Sequence, residues 1–187
     1  MSSDESIWEQ LSKLQNRVSK DSKNLISLDE LILITLAAQP DKPIYGKTMF
    51  MKQIFVIYEE IFKNKSDFRI QDGEYYPYKF GPFSDKVVDT TNDLVWSGNM
   101  EIINPRKNAG AVYKLTPNGV IRGKILFNSL PKNYQDDLKE YRMELDELGN
   151  DGILNYVYHK YDQYTIKSTI KEKHKKTKWG VINDPTN

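Results

Sequence analysis

Two histidines, His159 and His174, and no cysteine make up all the imidazole and thiol chemistry of this 187-residue chain. That excludes a disulfide framework, a thiolate zinc site, an iron–sulfur cluster and a cysteine nucleophile, and two histidines are too few for a histidine-rich metal centre. No metal and no cofactor are expected. His159 lies in the tyrosine-rich run Tyr156-Val157-Tyr158-His159-Lys160-Tyr161 and reads as a packed or surface side chain rather than a general base. Ser84 follows Gly81-Pro82-Phe83 instead of occupying a G-x-S-x-G elbow, so a helix-cap role accounts for it. Gly46-Lys47-Thr48 ends like a phosphate loop, but Asp41 stands where the first glycine belongs, which leaves a helix start. Asp21-Ser22-Lys23 and Asp137-Leu138-Lys139 have the spacing of a nuclease half-motif without a strand edge and a second acid. The chain reads as a non-enzyme.

Binding chemistry is better represented. From Ile102 to Gln135 there is no acid, while Arg106, Lys107, Lys114, Arg122, Lys124 and Lys132 are positive, so Arg106, Lys107, Lys114, Arg122 and Lys124 are candidates for phosphate contacts. Asp85, Asp89 and Asp93, at i, i+4 and i+8, form an acidic stripe that would repel phosphate. Between Tyr75 and Phe83 lies an aromatic loop; Tyr78, Phe80 and Phe83, with the acidic stripe, are candidates for a protein partner, core packing being the alternative. From Asp136 to Asp151 seven acids face Lys139 and Arg142 alone, and the lysines from Lys167 to Lys178 form a basic end that is either functional or merely solvated.

These groups need elements to hold them. Ile7, Leu11, Leu14 and Val18 mark a helix over 6–19, and Ser27 with Glu30 opens a second, nearly all-apolar helix through a capping box. A third, apolar on all sides, is predicted over 47–63. Phe68-Arg69-Ile70 suggests a short strand. Ser84 caps a fourth helix with Val87, Val88, Thr91, Leu94 and Val95 inward, stopped at Gly98. Residues 101–103 and 111–115 read as a hairpin, and Thr116-Pro117 starts a further helix. Tyr134, Leu138, Tyr141, Leu145 and Leu148 form a heptad-like seam that could receive the N-terminal helix, or a second copy of the chain in a homodimer. After Gly149, helices are predicted over 151–161 and 165–175.

The fold class expected is mostly α (α+β): a winged helix-turn-helix core over 27–130 with one β-hairpin wing, an N-terminal helical extension over 1–26, a C-terminal helical subdomain over 131–178 and a flexible tail over 179–187. With 28% charged and 12% aromatic residues the chain is not of disordered composition, and its net charge of +1 selects no partner by itself. A polar, acidic N-terminus and the lack of an 18-residue apolar run give no membrane partner and a cytoplasmic location as the expectation.

Gly46-Lys47-Thr48, Tyr78-Lys79-Phe80-Gly81-Pro82-Phe83-Ser84, Tyr113-Lys114-Leu115-Thr116-Pro117-Asn118-Gly119 and Tyr156-Val157-Tyr158-His159-Lys160-Tyr161 together resemble the YwgA-like and Panacea (SocA-type antitoxin) winged-helix family over about 27–167. The resemblance implies a helix-turn-helix regulator or an antitoxin-like interaction module. Two readings follow: a transcriptional regulator binding double-stranded DNA through a basic wing, placed slightly first, or a module that binds a protein such as a toxin through its acidic helix and aromatic loop.

Overall fold

A computed structural model describes residues 25–63, 67–106 and 110–171. The predicted helix over 6–19, its packing on the seam, Lys107 and the basic run beyond Lys171 lie outside the described residues. The chain is a mixed α+β protein, dominated by helix, with three small sheets among the described residues. Strand β1 (Leu25–Ile26) leads into α1 (Leu28–Ala37), whose start is held as expected: the Ser27 amide donates to Glu30 Oε2 at 3.0 Å. Leu31, Ile32, Leu33, Ile34 and Leu36 are all buried, so α1 has no solvent face of its own.

Strand β2 (Ile44–Tyr45) turns into α2 (Lys47–Ile57), the all-round apolar helix. Its predicted last turns are instead a π-helical segment, Tyr58–Lys63. The wider π winding brings Glu60 to the aromatic C-terminal helix, where its carboxylate accepts from Tyr156 Oη at 3.0 Å, from Tyr161 Oη and from Lys160 Nζ at 2.8 Å. Strand β3 (Arg69–Ile70) pairs parallel with β1. The predicted aromatic loop is a hairpin, β4 (Tyr76–Tyr78) against β5 (Gly81–Phe83), turning at Lys79 and Phe80. It is followed by α3 (Asp85–Trp96), then β6 (Met100–Ile103) and β7 (Val112–Leu115). The expected hairpin forms and gains a third strand, because β2 pairs with β7 to give the order β2-β7-β6.

After β7 comes α4 (Pro117–Ser129), with Thr116 as cap and Pro117 at its first position. The next element, α5 (Lys132–Lys160), runs on with a break at Gly149, whose φ of 62° and ψ of −173° are outside helical space. Only glycine takes that conformation at little cost, so the predicted division falls where expected. The seam of Tyr134, Leu138 and Leu145 is buried within the chain, and Tyr134 stacks on Phe62 with ring centroids 5.9 Å apart. Periodicity did not reveal that Arg142 is fully buried beside that seam. Its guanidinium donates to the Lys42 carbonyl at 2.9 Å and pairs with Asp146, which also accepts from Gln53 Nε2 at 2.9 Å. Burial lowers the Arg142 pKa while Asp146 opposes the shift, so the charge survives because it is paired. Of the expected helix over 165–175, residues 165–170 are turns and irregular backbone after a 3-10 turn, Asp162–Tyr164, and only Lys171 of the described residues in that range is helical.

A Cβ on Gly119 would sit 1.8 Å from the Asn99 carbonyl oxygen, since α4 starts hard against the turn that ends α3. Gly119→Ala is expected to destabilise the chain by about 3 kcal/mol. Urea unfolding checks this; a loss under about 1 kcal/mol would mean that the α3–α4 junction is looser than described.

Candidate protein-docking face and aromatic hairpin

The outer face of α3 is built by its cap and its inward residues. Ser84 Oγ accepts from the Val87 amide at 3.0 Å and donates to the Gly73 carbonyl, which fixes the helix start and consumes the hydroxyl. Val87, Thr91 and Leu94 are buried. Asp85, Asp89 and Asp93 therefore point to solvent as their spacing requires, and Asn92 and Trp96 join them. Val88, expected inward, is exposed instead, because the buried stripe is narrower than five positions. Trp96 is 89% exposed. It was not among the candidates, although its spacing of four and eight from Asn92 and Val88 puts all three on one stripe.

The charges around this face are arranged in one direction. Tyr76 Oη donates to Asp85 Oδ2 at 2.7 Å, and that bond above all, with a smaller contribution from desolvation, pushes the phenol up to about 12. Lys86, the one base on α3, pairs with Glu74 at 2.8 Å. Asp89 and Asp93 have no ion-pair partner among the described residues.

Beside the first turn of α3 stands the hairpin. Tyr78 and Phe80 are about two-fifths exposed and Phe83 is half-buried, with the Tyr78 and Phe83 rings 5.1 Å apart. Tyr75 is the core member of the aromatic run, packed edge-on against Phe55 at 4.9 Å. Of the expected partner-binding set, Tyr78, Phe80, Phe83 and Asp85 are thus near one another, with Asp89 and Asp93 continuing along the helix. Beneath the hairpin, Lys52 of α2 is 2% exposed and donates to the Pro82 carbonyl at 2.6 Å. Desolvation alone draws its pKa from 10.5 down to about 7. Sequence periodicity hid this residue, since it stands inside an apolar helix.

The expected phosphate contacts are dispersed. Arg106 is exposed at the wing, whereas Arg122 and Lys124 are on α4, not on the wing. Lys114 pairs across the wing with Glu101 at 3.1 Å, and Arg122 pairs with Asp29 of α1 at 2.6 Å. Both ion pairs must be broken or shared before those bases can neutralise phosphate. Arg106 and Lys124 have no ion-pair partner among the described residues. His159 Nδ1 lies 2.9 Å from the Asn155 carbonyl on the exposed side of α5. Among the described residues no three His, Asp or Glu side chains gather as metal ligands would, and no helix is long and apolar enough to cross a membrane. Compared with models of known families and with curated proteins, the chain finds no match.

Lys52 has a consequence for stability. Because its folded pKa lies below its unfolded one, the unfolded chain binds more protons between about pH 7 and 10.5, so stability rises with pH across that window. Relative to Lys52→Met, the unsubstituted protein should gain about 2 kcal/mol between pH 7 and pH 9. Parallel urea titrations of both proteins measure it; a difference independent of pH would show that Lys52 keeps an ordinary pKa.

Proposed function

We propose that the chain is a protein-interaction module, antitoxin-like and cytoplasmic, that docks a basic protein on the outer face of α3 and the adjoining aromatic hairpin. The scaffold is read as a winged helix. Support for this comes from the short strand between α1 and α2 pairing with the wing hairpin, and from α3 standing immediately before that hairpin, the position of a recognition helix. The observation that carries the functional reading is the composition of that helix's exposed face: Asp85, Asp89 and Asp93 beside Val88 and an 89% exposed Trp96, with its one lysine tied to Glu74. Affinity for duplex DNA comes largely from neutralised phosphates, and this face would add three carboxylates to the groove walls. A protein partner reverses the sign of the argument. Exposed tryptophan is a common anchor of interfaces, and carboxylates around it would steer and select a basic surface.

A second reading, DNA binding through the wing, is favoured by Arg106 and Lys124, both exposed and without an ion-pair partner among the described residues. Two such contacts give a slope of log affinity against log salt near −2, too shallow for tight binding at physiological salt.

The test uses the full chain and the protein that co-purifies with it from its own cells. Charge reversal by Asp89→Lys with Asp93→Lys, or Trp96→Ala alone, should weaken that complex by at least about tenfold. Arg106→Ala with Lys124→Ala should leave it unchanged. If the α3 variants bind the partner normally and duplex DNA is instead bound in an Arg106-dependent manner, the wing reading replaces this one.

A further inference from the structure

We infer that the cavity between the start of α2, the aromatic hairpin and the segment of α5 after its break is a binding site for a small planar ligand carrying a phosphate or carboxylate group. The cavity measures about 600 Å³, the size range of sites that hold mononucleotide-sized molecules. Its basic lining is Lys47, Lys52 and Lys79, and among the described residues no carboxylate lines it. The remaining walls are mostly apolar and aromatic, with Tyr78, Phe80 and Phe83 on the hairpin side and Leu154 opposite, and Thr48 and Asn150 are their uncharged polar members.

Lys52 holds the hairpin in place at a desolvation cost that an anion in the cavity would offset. Lys52 is 2% exposed, yet a single carbonyl accepts from it and no carboxylate does among the described residues. A buried ammonium normally has an anionic partner or loses its charge, and here the charge is half lost, with the pKa near 7. An anion arriving in the cavity would supply the missing partner and restore the proton. Lys47 and Lys79 are exposed at the rim, where they would draw such a ligand in. Two of the three hairpin rings that line the cavity, Tyr78 and Phe80, remain about two-fifths exposed, although a purely structural hairpin would gain by burying them.

The hairpin tip is also held in place rather than left to flex. The Lys79 carbonyl accepts from the Thr169 amide at 3.0 Å and from Ser168 Oγ at 3.1 Å, and Ser168 Oγ is 2.6 Å from Tyr158 Oη. Ile170 of the same segment closes one side of the cavity. The wall that would stack on a ring is therefore preorganised, which lowers the entropic cost of binding. The cavity shares the hairpin rings with the proposed docking surface but takes nothing from α3, and its test does not require the protein partner.

Calorimetric titration of the full chain with 1-naphthyl phosphate and with AMP, beside 1-naphthol, adenosine and inorganic phosphate, tests the inference. At least one aromatic phosphate should bind saturably, about tenfold or more tighter than its phosphate-free counterpart and than phosphate alone. Lys52→Met should weaken it by about tenfold or more, as should Lys47→Ala with Lys79→Ala, two exposed positions where folding is not at stake. Lys124→Ala, distant from the cavity, should change nothing. Absence of saturable binding by both phosphates, equal binding of the uncharged compounds, or undiminished binding by the Lys47→Ala/Lys79→Ala protein would each overturn the assignment.

Discussion

The hydrogen bond from Lys52 Nζ to the Pro82 carbonyl, 2.6 Å long and sealed from water, joins the central helix to the aromatic hairpin. Much of the structure around the candidate surfaces depends on it. Pro82 is in β5, and β5 leads directly into Ser84, whose hydroxyl starts α3 and anchors it to the Gly73 carbonyl. A shift of the hairpin would therefore move the first turn of α3 and, through the Tyr76–Asp85 bond, one member of the acidic stripe. In a low-dielectric interior such a bond is strong, and losing it would leave a buried carbonyl unsatisfied. From the other side, Gly81 lies so close to Tyr158 that an added Cβ would be 3.0 Å from the ring, which locks the hairpin against α5.

Charge is distributed unevenly over this frame. Bases that the sequence clusters between Ile102 and Gln135 are partly spent inside the fold: Lys114 steadies the wing through Glu101, and Arg122 joins α4 to α1 through Asp29. Such exposed pairs contribute little stability, but they reduce the positive field available to DNA. Acids on α3 are not compensated in the same way, as Asp89 and Asp93 face solvent without a partner among the described residues. The net result is a wing less basic than its sequence and a helix as acidic as its sequence. That asymmetry, together with the exposed Trp96, is what separates a protein-docking face from a groove reader.

Local rules made much of the framework legible. The capping box at Ser27, the cap at Ser84, the Thr116-Pro117 start and the break at Gly149 each depend on a few neighbouring residues and appear where the sequence implies them. The acidic stripe was legible for the same reason, since helical spacing decides which side chains share a face. Features that depend on distant chain segments were not. The π winding of residues 58–63 serves Glu60, whose partners are about a hundred residues away, and nothing local announces it. Residues Tyr76–Phe83 read as a loop because its prolines obscure alternation, yet they pair as strands. Lys52, within an apolar helix, and Arg142, within an acid-rich run, were hidden because a charged residue looks like the solvent side of a helix until the opposing elements are in place.

The central claim is that α3 and the hairpin, not the wing, are where the chain meets its macromolecular partner. Hydrogen–deuterium exchange of the full chain, alone and bound to the protein that co-purifies with it, reads this most directly. Added protection should concentrate between Tyr76 and Trp96 and leave the wing strands, Met100–Ile103 and Val112–Leu115, unchanged. Protection confined to the wing, or protection by duplex DNA with none by a protein, would contradict it.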